Sequence, residues 1–222
     1  EQVFSKMGSS QRGVLIDVEL CHAALKLAGK AKRKANEELE HLTGIESGTQ
    51  REAIKAWLIE NEKLDLADTK AKTLEWYLKG RGPVLSERSK RILTIVKEVN
   101  RTSTNKYKRM LECVDDDGRA RENLVYCGAE RTGRFSGRGI QLHNLPKGRF
   151  TLWLRKENKH LAMDYAVADV KTCDLAWCEM MHGDVMNLIA SCLRGCIIAP
   201  PGKDLLLADY SAIEARCVLW EA

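Results

Sequence analysis

The residues from Asp204 to Ala222, DLLLADYSAIEARCVLWEA, have a spacing that could do chemistry. The apolar run Leu205 to Ala208 reads as a buried strand that delivers Asp209 to the strand's end. Glu214 and Arg216 then follow with a helical rhythm. A carboxylate at a rigid strand end can hold a hard cation such as Mg²⁺, but it can equally cap the helix that follows. On these residues alone the cap is favoured.

A second feature is a segment of one charge sign between Arg131 and Lys156, which has seven Lys or Arg residues and no Asp or Glu. Such a segment repels itself unless a polyanion lies nearby. Gln141, His143 and Asn144 can hydrogen-bond bases or sugars, and glycines would let a ligand come close to the backbone. Composition alone fits a flexible basic loop equally well. The basic residues are Arg131, Arg134, Arg138, Lys147, Arg149, Arg155 and Lys156, and the glycines are Gly133, Gly137 and Gly139.

A shorter basic segment, NRTSTNKYKRML, covers Asn100 to Leu111 without an acidic residue. Polar residues interrupt the helical pattern here and could donate hydrogen bonds to phosphate. Taken by itself, the segment is more readily interpreted as a helix–helix corner with solvated lysines. Its basic residues are Arg101, Lys106, Lys108 and Arg109, and the interrupting residues are Ser103, Thr104 and Asn105.

Helical signals dominate the first half of the chain, which includes the shorter basic segment. Apolar residues recur at helical spacing, and capping residues precede the recurring pattern. The expected helices run from Val18 to Leu42 between Asp17 and Gly44, from a Thr49–Glu52 capping box onward, from Thr69 to Lys79, and from Ser86, the longest one, with the pattern resuming at Tyr107.

The second half mixes strand and helix signals, so we expect an α+β fold. No internal repeat and no low-complexity tract interrupts it. The expected elements are a turn at Asp117–Gly118, a strand from Leu124 to Cys127, helices over Ala162–Met181 and Val185–Arg194, and a strand, a Pro-Pro turn and a strand within GCIIAPPGKDLLLAD.

Composition narrows the class of protein. The chain has 222 residues, a net charge of +5, 44% hydrophobic and 30% charged residues, which is ordinary for a globular protein. No apolar run approaches the roughly 18 residues needed to span a bilayer, and the N-terminal residues lack the apolar core of a signal peptide. We therefore expect no membrane partner, a cytoplasmic location and eight reduced cysteines. Zinc binding by Cys178, His182, Cys192 and Cys196 is disfavoured by their spacing.

Two motifs together carry a resemblance to a known family. RTGRFSGRGIQLHNLP, Arg131 to Pro146, resembles the T-G-R-x-S-x6-Q-N-[IL]-P element of family A DNA polymerases, the DNA polymerase I type, in the form typical of phage members. DYSAIEAR, Asp209 to Arg216, resembles motif A of that family, D-Y-S-Q-I-E-L-R. RTSTNKYKRMLECV resembles the stretch that joins thumb to palm. The resemblance runs from about Val14 to the C-terminus, and it implies that the cytoplasm is that of a bacterial or phage-infected cell.

The resemblance implies a role for each matching position in template-directed DNA synthesis. Asp209 would be one of two carboxylates that hold a catalytic Mg²⁺ pair, and the Tyr210 carbonyl would be a further ligand. Glu214 would lie under the incoming sugar and exclude a 2′-hydroxyl, and Arg134 would reach the primer end and act in catalysis. The family usually has Gln where His143 and Ala212 stand. The dNTP-binding residues would be Ser211, Ala212, Ile213 and Glu214, and the DNA-binding residues would be Ser103, Thr104, Lys106, Thr132, Arg134, Ser136, Arg138, Gln141, His143 and Asn144.

The resemblance also implies a polymerase hand that is incomplete in these residues, with a helical thumb and part of a palm with antiparallel strands. The fingers and the second metal-binding carboxylate would lie in a missing part, or in a second polypeptide. We therefore expect a nucleotidyltransferase fragment that is inactive alone and that associates or is marginally stable in its palm half. A non-catalytic DNA-binding module and a decayed prophage remnant are the alternatives. The expected divisions are an N-terminal segment (1–16), a thumb-like region (17–114) and a partial palm (115–222) with a primer–template loop (131–149) and motif A (209–216).

Overall fold

A computed structural model of the chain describes residues 12–148, 159–206 and 211–221. Helices predominate, and short antiparallel strands form two small sheets, which confirms the predicted α+β class. The helices are α1 (Val18–Thr43), α2 (Arg51–Glu62), α3 (Ala71–Leu78), α4 (Glu87–Val99), α5 (Thr104–Cys113), α6 (Lys159–Thr172), α7 (Leu175–His182), α8 (Val185–Cys192) and α9 (Ile213–Glu221), and the strands are β1 (Val14–Ile16), β2 (Arg119–Ala120), β3 (Leu124–Ala129), β4 (Arg134–Gly137) and β5 (Ile197–Ile198).

The long helix α1 organises the packing of the described residues. Its cap is the predicted one, because Asp17 accepts a hydrogen bond from the Leu20 amide at 2.9 Å. It ends at Gly44, whose φ of 75° is left-handed and favours glycine. At about 1.5 Å per residue, its 26 residues span roughly 39 Å. The helix is therefore long enough to contribute to two separate apolar clusters.

The two apolar clusters lie at opposite ends of α1. The first half of α1, including Leu20 and Leu27, packs with α5, α6 and α8. The second half, including Leu39, joins a cluster formed with residues of α2, α3 and α4. The predicted division of the chain near residue 114 stays a prediction, since α1 belongs to both clusters.

Two small antiparallel sheets complete the described fold. One has the strand order β2–β1–β5, with Leu15 of β1 opposite Ile198 of β5 and Val14 opposite Ala120 of β2. The other is the β3–β4 hairpin, in which Leu124 pairs with Gly137. The predicted strand at Leu124 is thereby confirmed, and it continues two residues further than expected.

Three helix predictions are wrong in detail. The Thr49–Glu52 capping box does not form: Gln50 precedes α2 without a side-chain cap, and Thr49 instead bonds Ser47 through the hydroxyls at 2.9 Å. The helix after Ser86 is not the longest, because it ends at Val99. There the side-chain amide of Asn100 donates to the Gly48 carbonyl at 2.7 Å.

The predicted helix over 162–181 is two helices, α6 and α7. The first of them, α6, ends just before Cys173, whose φ of 55° is not helical. Asp174 then caps α7 by accepting from the Trp177 amide at 3.1 Å. This local capping bond outweighs the continuing apolar pattern, which is why periodicity alone missed the break.

The predicted strand from Leu205 to Ala208 lies partly outside the described residues. Its described part is not a strand, and Leu206 is 95% exposed, so burial there is also contradicted. Among the described strands, β5 pairs with β1 and none runs beside Leu205. The expected association of the chain stays a prediction. In the part of the chain that the structure describes, no helix is both long enough and apolar enough to cross a membrane.

Candidate nucleic-acid interface

The β3–β4 hairpin carries the first part of the basic segment. Its loop closes when the amides of Thr132 and Gly133 donate to the Ala129 carbonyl at 3.0 and 2.9 Å. Gly133 has a left-handed φ of 61°, which the turn requires and which glycine adopts most readily. Thr132, Arg134 and the residues between them are exposed. The hairpin therefore presents the TGR motif to solvent.

A buried asparagine anchors the hairpin to the loop that follows it. Asn123 is 4% exposed, and its side-chain amide donates to the Ala120 carbonyl at 3.0 Å. Its side-chain oxygen accepts from the Ile140 amide at 3.4 Å, and its backbone carbonyl accepts from the Arg138 amide at 2.8 Å. Asn123 was not singled out from the sequence, because an Asn near a turn signal reads as a surface residue.

The predicted base-contacting residues lie on a short 3₁₀ turn, Leu142–Asn144. Ile140 and Leu145 are buried on either side of this turn and insert into the first apolar cluster. Between these two anchors, three polar side chains are exposed. Within that set the Asn144 amide donates to the Gln141 side-chain oxygen at 3.3 Å. The exposed polar residues are Gln141, His143 and Asn144, and their contacts with DNA stay a prediction.

The glycines of this segment have different roles. A methyl group at Gly137 would lie 2.3 Å from Cε1 of His143, so the imidazole occupies the space that the missing side chain leaves. At Gly139, with a φ of 60°, a methyl group would lie 3.2 Å from Cys113 Sγ. Protein atoms thus fill the side-chain direction at these two glycines, and the close approach of a ligand to their backbone stays a prediction. Gly133 has open space beside it.

Arg194, in the 3₁₀ turn after α8, holds the basic segment at Leu145 and Pro146. Its guanidinium donates from Nη2 to the Leu145 carbonyl at 2.8 Å and from Nε to the Pro146 carbonyl at 3.1 Å. The planar fork of arginine suits two neighbouring carbonyl oxygens. One feature of the sequence could have indicated this structural role, namely that Arg194 is a lone arginine within the apolar run NLIASCLRGCII.

A cleft of about 440 Å³ joins the two basic segments, because Arg101 and Lys147 both line it. The guanidinium of Arg101 also lies 3.4 Å from the carboxylate of Asp184. Positive charge from both segments thus reaches one surface. The remaining lining residues are Pro146, Asn187, Ala190 and Ser191.

The hydroxyls of the second basic segment are poorly placed for phosphate. Thr104 begins α5 and is only 6% exposed, and the Ser103 hydroxyl is buried without a hydrogen-bond partner among the described residues. Lys106 is half-buried on the same helix. Tyr107 anchors α5 by donating to the Ile189 carbonyl at 2.6 Å. The DNA contacts assigned to this segment stay predictions.

The predicted catalytic residues of motif A fall largely beyond what the structure describes. Asp209 and Tyr210 lie outside the described residues, as do the side chains of Ile213 and Glu214. Ser211 and Ala212 are exposed just before α9. Within residues 12–148, 159–206 and 211–221, no group of three or more His, Cys, Asp or Glu side chains could hold a metal ion. The Mg²⁺ ligands therefore stay a prediction from the motif.

Comparison with known proteins finds one similar protein whose description states its activity. The chain is 30% identical over 213 residues to a protein described as "DNA polymerase" from Bacillus phage SP02. The match covers 96% of this chain and 31% of the relative, so the chain spans about a third of the relative's length. The comparison supports a relationship to DNA polymerases. No family model matches the chain, and no solved structure matches it.

Proposed function

We propose that the chain is a region of a family A, template-directed DNA polymerase and that it binds primer–template DNA through its basic surface. The observation that carries the proposal is the placement of the basic segment. Its described part, residues 131–148, lies on an exposed hairpin and loop that Asn123, Ile140, Leu145 and Arg194 hold in place. A rigidly held surface of one charge sign suits the phosphates of DNA better than a mobile loop does.

The arginines of the hairpin and the polar residues of the 3₁₀ turn would contact different parts of the DNA. Arg134 and Arg138 would neutralise phosphates or reach the minor groove, and phosphate contacts set the position of the duplex without reading its sequence. Gln141, His143 and Asn144 present donors and acceptors on one turn, where they can bond base edges or sugars. The surface therefore suits a sequence-tolerant grip on a primer–template.

The catalytic part of the proposal rests on the motif resemblance. Asp209 and the Tyr210 carbonyl would bind Mg²⁺, which in this reaction class neutralises charge on the phosphates. The residues from Ser211 to Glu214 would face the dNTP. The phage relative carries its matching region within one longer chain, which gives no support to a second polypeptide.

Salt-dependent DNA binding tests the binding proposal. A fluorescein-labelled primer–template should bind the wild-type chain with an affinity that falls with salt, with a log–log slope of about −0.9 per phosphate neutralised. Arg134→Ala should weaken binding and reduce the slope by about one unit. Arg81→Ala, an exposed arginine next to α3, is the matched control and should leave both unchanged. Salt-independent binding, or equal effects of the two variants, would contradict the proposal.

Primer extension tests the catalytic part. The purified chain is given primer–template, Mg²⁺ and dNTPs beside an Asp209→Ala variant, which controls for a contaminating polymerase. Extension that the variant loses would support the metal role of Asp209 and overturn the expectation that these residues are inactive alone. Bound but unextended primer would support that expectation.

A further inference from the structure

The β3–β4 hairpin exposes two aromatic rings that the DNA-binding surface described above does not use. Tyr126 of β3 is 53% exposed and Phe135 of β4 is 50% exposed. Their ring centroids are 5.5 Å apart and their planes meet at 73°, an edge-to-face pair. Two exposed rings in contact form a contiguous apolar patch, and such a patch can mark a binding site.

The register of the hairpin puts the rings on their own face. Val125 pairs with Ser136, the register then shifts before Ala129, and the ring contact itself puts Tyr126 beside Phe135. Side chains alternate between the two faces of a strand, and Arg134 and Ser136 therefore point to the opposite side from Phe135. The hairpin thus has an aromatic face and a face that carries Arg134.

The net charge of the hairpin indicates the kind of partner that the rings would bind. From residue 124 to residue 138 the hairpin carries three arginines, at 131, 134 and 138, and one acidic residue, Glu130. A second acidic residue, Glu122, lies just before the hairpin. Arg138 makes only a loose ion pair with Glu122, at 3.9 Å. The hairpin as a whole therefore carries more arginines than acidic residues, and this net positive charge attracts a polyanion. The partner that combines a polyanionic backbone with flat apolar rings is a nucleic acid.

We propose that Tyr126 and Phe135 form a stacking platform for unpaired bases of single-stranded DNA next to the bound duplex. Bases inside a duplex are already stacked on one another, so only an unpaired base can offer a face to these rings. The inference rests on the proposed function, because a polymerase template runs from a paired to an unpaired segment. Stacking tolerates any base, as template-directed synthesis requires.

A strand with and without bases separates stacking from charge. Labelled oligothymidine and an abasic strand of the same length are titrated with the wild-type chain and with the double variant Tyr126→Leu, Phe135→Leu, which keeps apolar side chains but removes the rings. The variant should bind oligothymidine at least about fivefold more weakly, bind the abasic strand as the wild type does, and keep the same salt slope. Tyr165→Leu is the matched control, since Tyr165 is also 53% exposed but lies on α6 close to Asp164 and Asp169.

Each other outcome identifies what is wrong. Equal weakening on both strands would mean that the substitutions act on the phosphate contacts, and no weakening would mean that the rings do not stack. Wild-type protein that binds primer–template duplex but not oligothymidine would overturn the stacking proposal while the proposed function stands, and binding to neither would overturn both. A self-association that only the double variant loses would assign the rings to a protein contact instead. Tyr126→Phe, with thermal melts of every variant, separates loss of a ring from loss of folding, because it should bind oligothymidine as the wild type does.

Discussion

A methyl group at Gly137 would displace His143 without removing any group that could contact DNA. The added carbon would lie 2.3 Å from His143 Cε1, 3.0 Å from its Nδ1 and 3.1 Å from the Gln141 Cα. Ordinary carbon contacts begin near 3.4 Å, so the imidazole must move by about 1 Å or rotate away. The backbone of Gly137 is outside the left-handed region, so alanine is tolerated there.

The expected effect on stability is small and the expected effect on binding is larger. His143 is exposed, so a shifted ring costs about 0.5–1.5 kcal/mol, and the Gly→Ala change offsets about 0.4–1 kcal/mol through the unfolded chain. The free energy of unfolding should therefore change by less than about 1 kcal/mol. One lost hydrogen bond between His143 and DNA is worth about 0.5–1.5 kcal/mol, which is roughly a 2- to 12-fold weaker Kd.

A double-mutant cycle is the appropriate assay. Primer–template affinity is measured by fluorescence anisotropy for the wild type, Gly137→Ala, His143→Ala and the combined variant, with thermal unfolding of each followed by circular dichroism. If the methyl group acts only through the imidazole, the combined variant should bind no more weakly than His143→Ala. Losses that multiply, or normal binding by Gly137→Ala beside a weakened His143→Ala, would refute the reasoning. Normal binding by His143→Ala would remove His143 from the interface.

Three further predictions concern the folded chain. Burial raises the pKa of Glu98, so the stability that its neutral form contributes is fully present below its unfolded pKa and is lost as the pH rises through the raised pKa. Glu98→Gln should therefore have a higher Tm than the wild type at pH 7, and the difference in Tm should vanish near pH 4. A difference in Tm that stays constant with pH would contradict this. Tyr107→Phe removes the hydroxyl that donates to the Ile189 carbonyl at 2.6 Å and should lower the Tm by roughly 2–4 °C in thermal melts, whereas an unchanged Tm would mean that the bond adds nothing. Cys127 and Cys217 are exposed and should react with a thiol reagent in the native chain, while the fully buried cysteines should react only after unfolding.

Local signals were sufficient for several elements because their causes are local. Asp17 and Gly44 bound α1 as predicted, and Ser86 caps α4 by accepting from the Ser89 amide. Each of these bonds joins residues a few positions apart, so residue type and spacing are enough to predict it. The α+β class followed from the same kind of signal.

Within the candidate site, the sequence did not show what holds the predicted residues in place. Gln141, His143 and Asn144 lie on or next to one 3₁₀ turn, and their contacts with DNA stay a prediction. The Thr49 capping box failed because a neighbouring hydroxyl offered Thr49 another bond, and such competition between near-equal local bonds is not visible in a spacing rule.

Sequence alone therefore determined the residue types that can do chemistry, their order along the chain and most helix boundaries. Only the tertiary structure decided that β1 lies between β2 and β5, that Arg194 holds the carbonyls of the basic loop, and that His143 fills the space at Gly137. These contacts join strands and side chains that the intervening chain does not position by itself. They depend on how whole elements pack around the apolar clusters, and no short stretch of sequence carries that information.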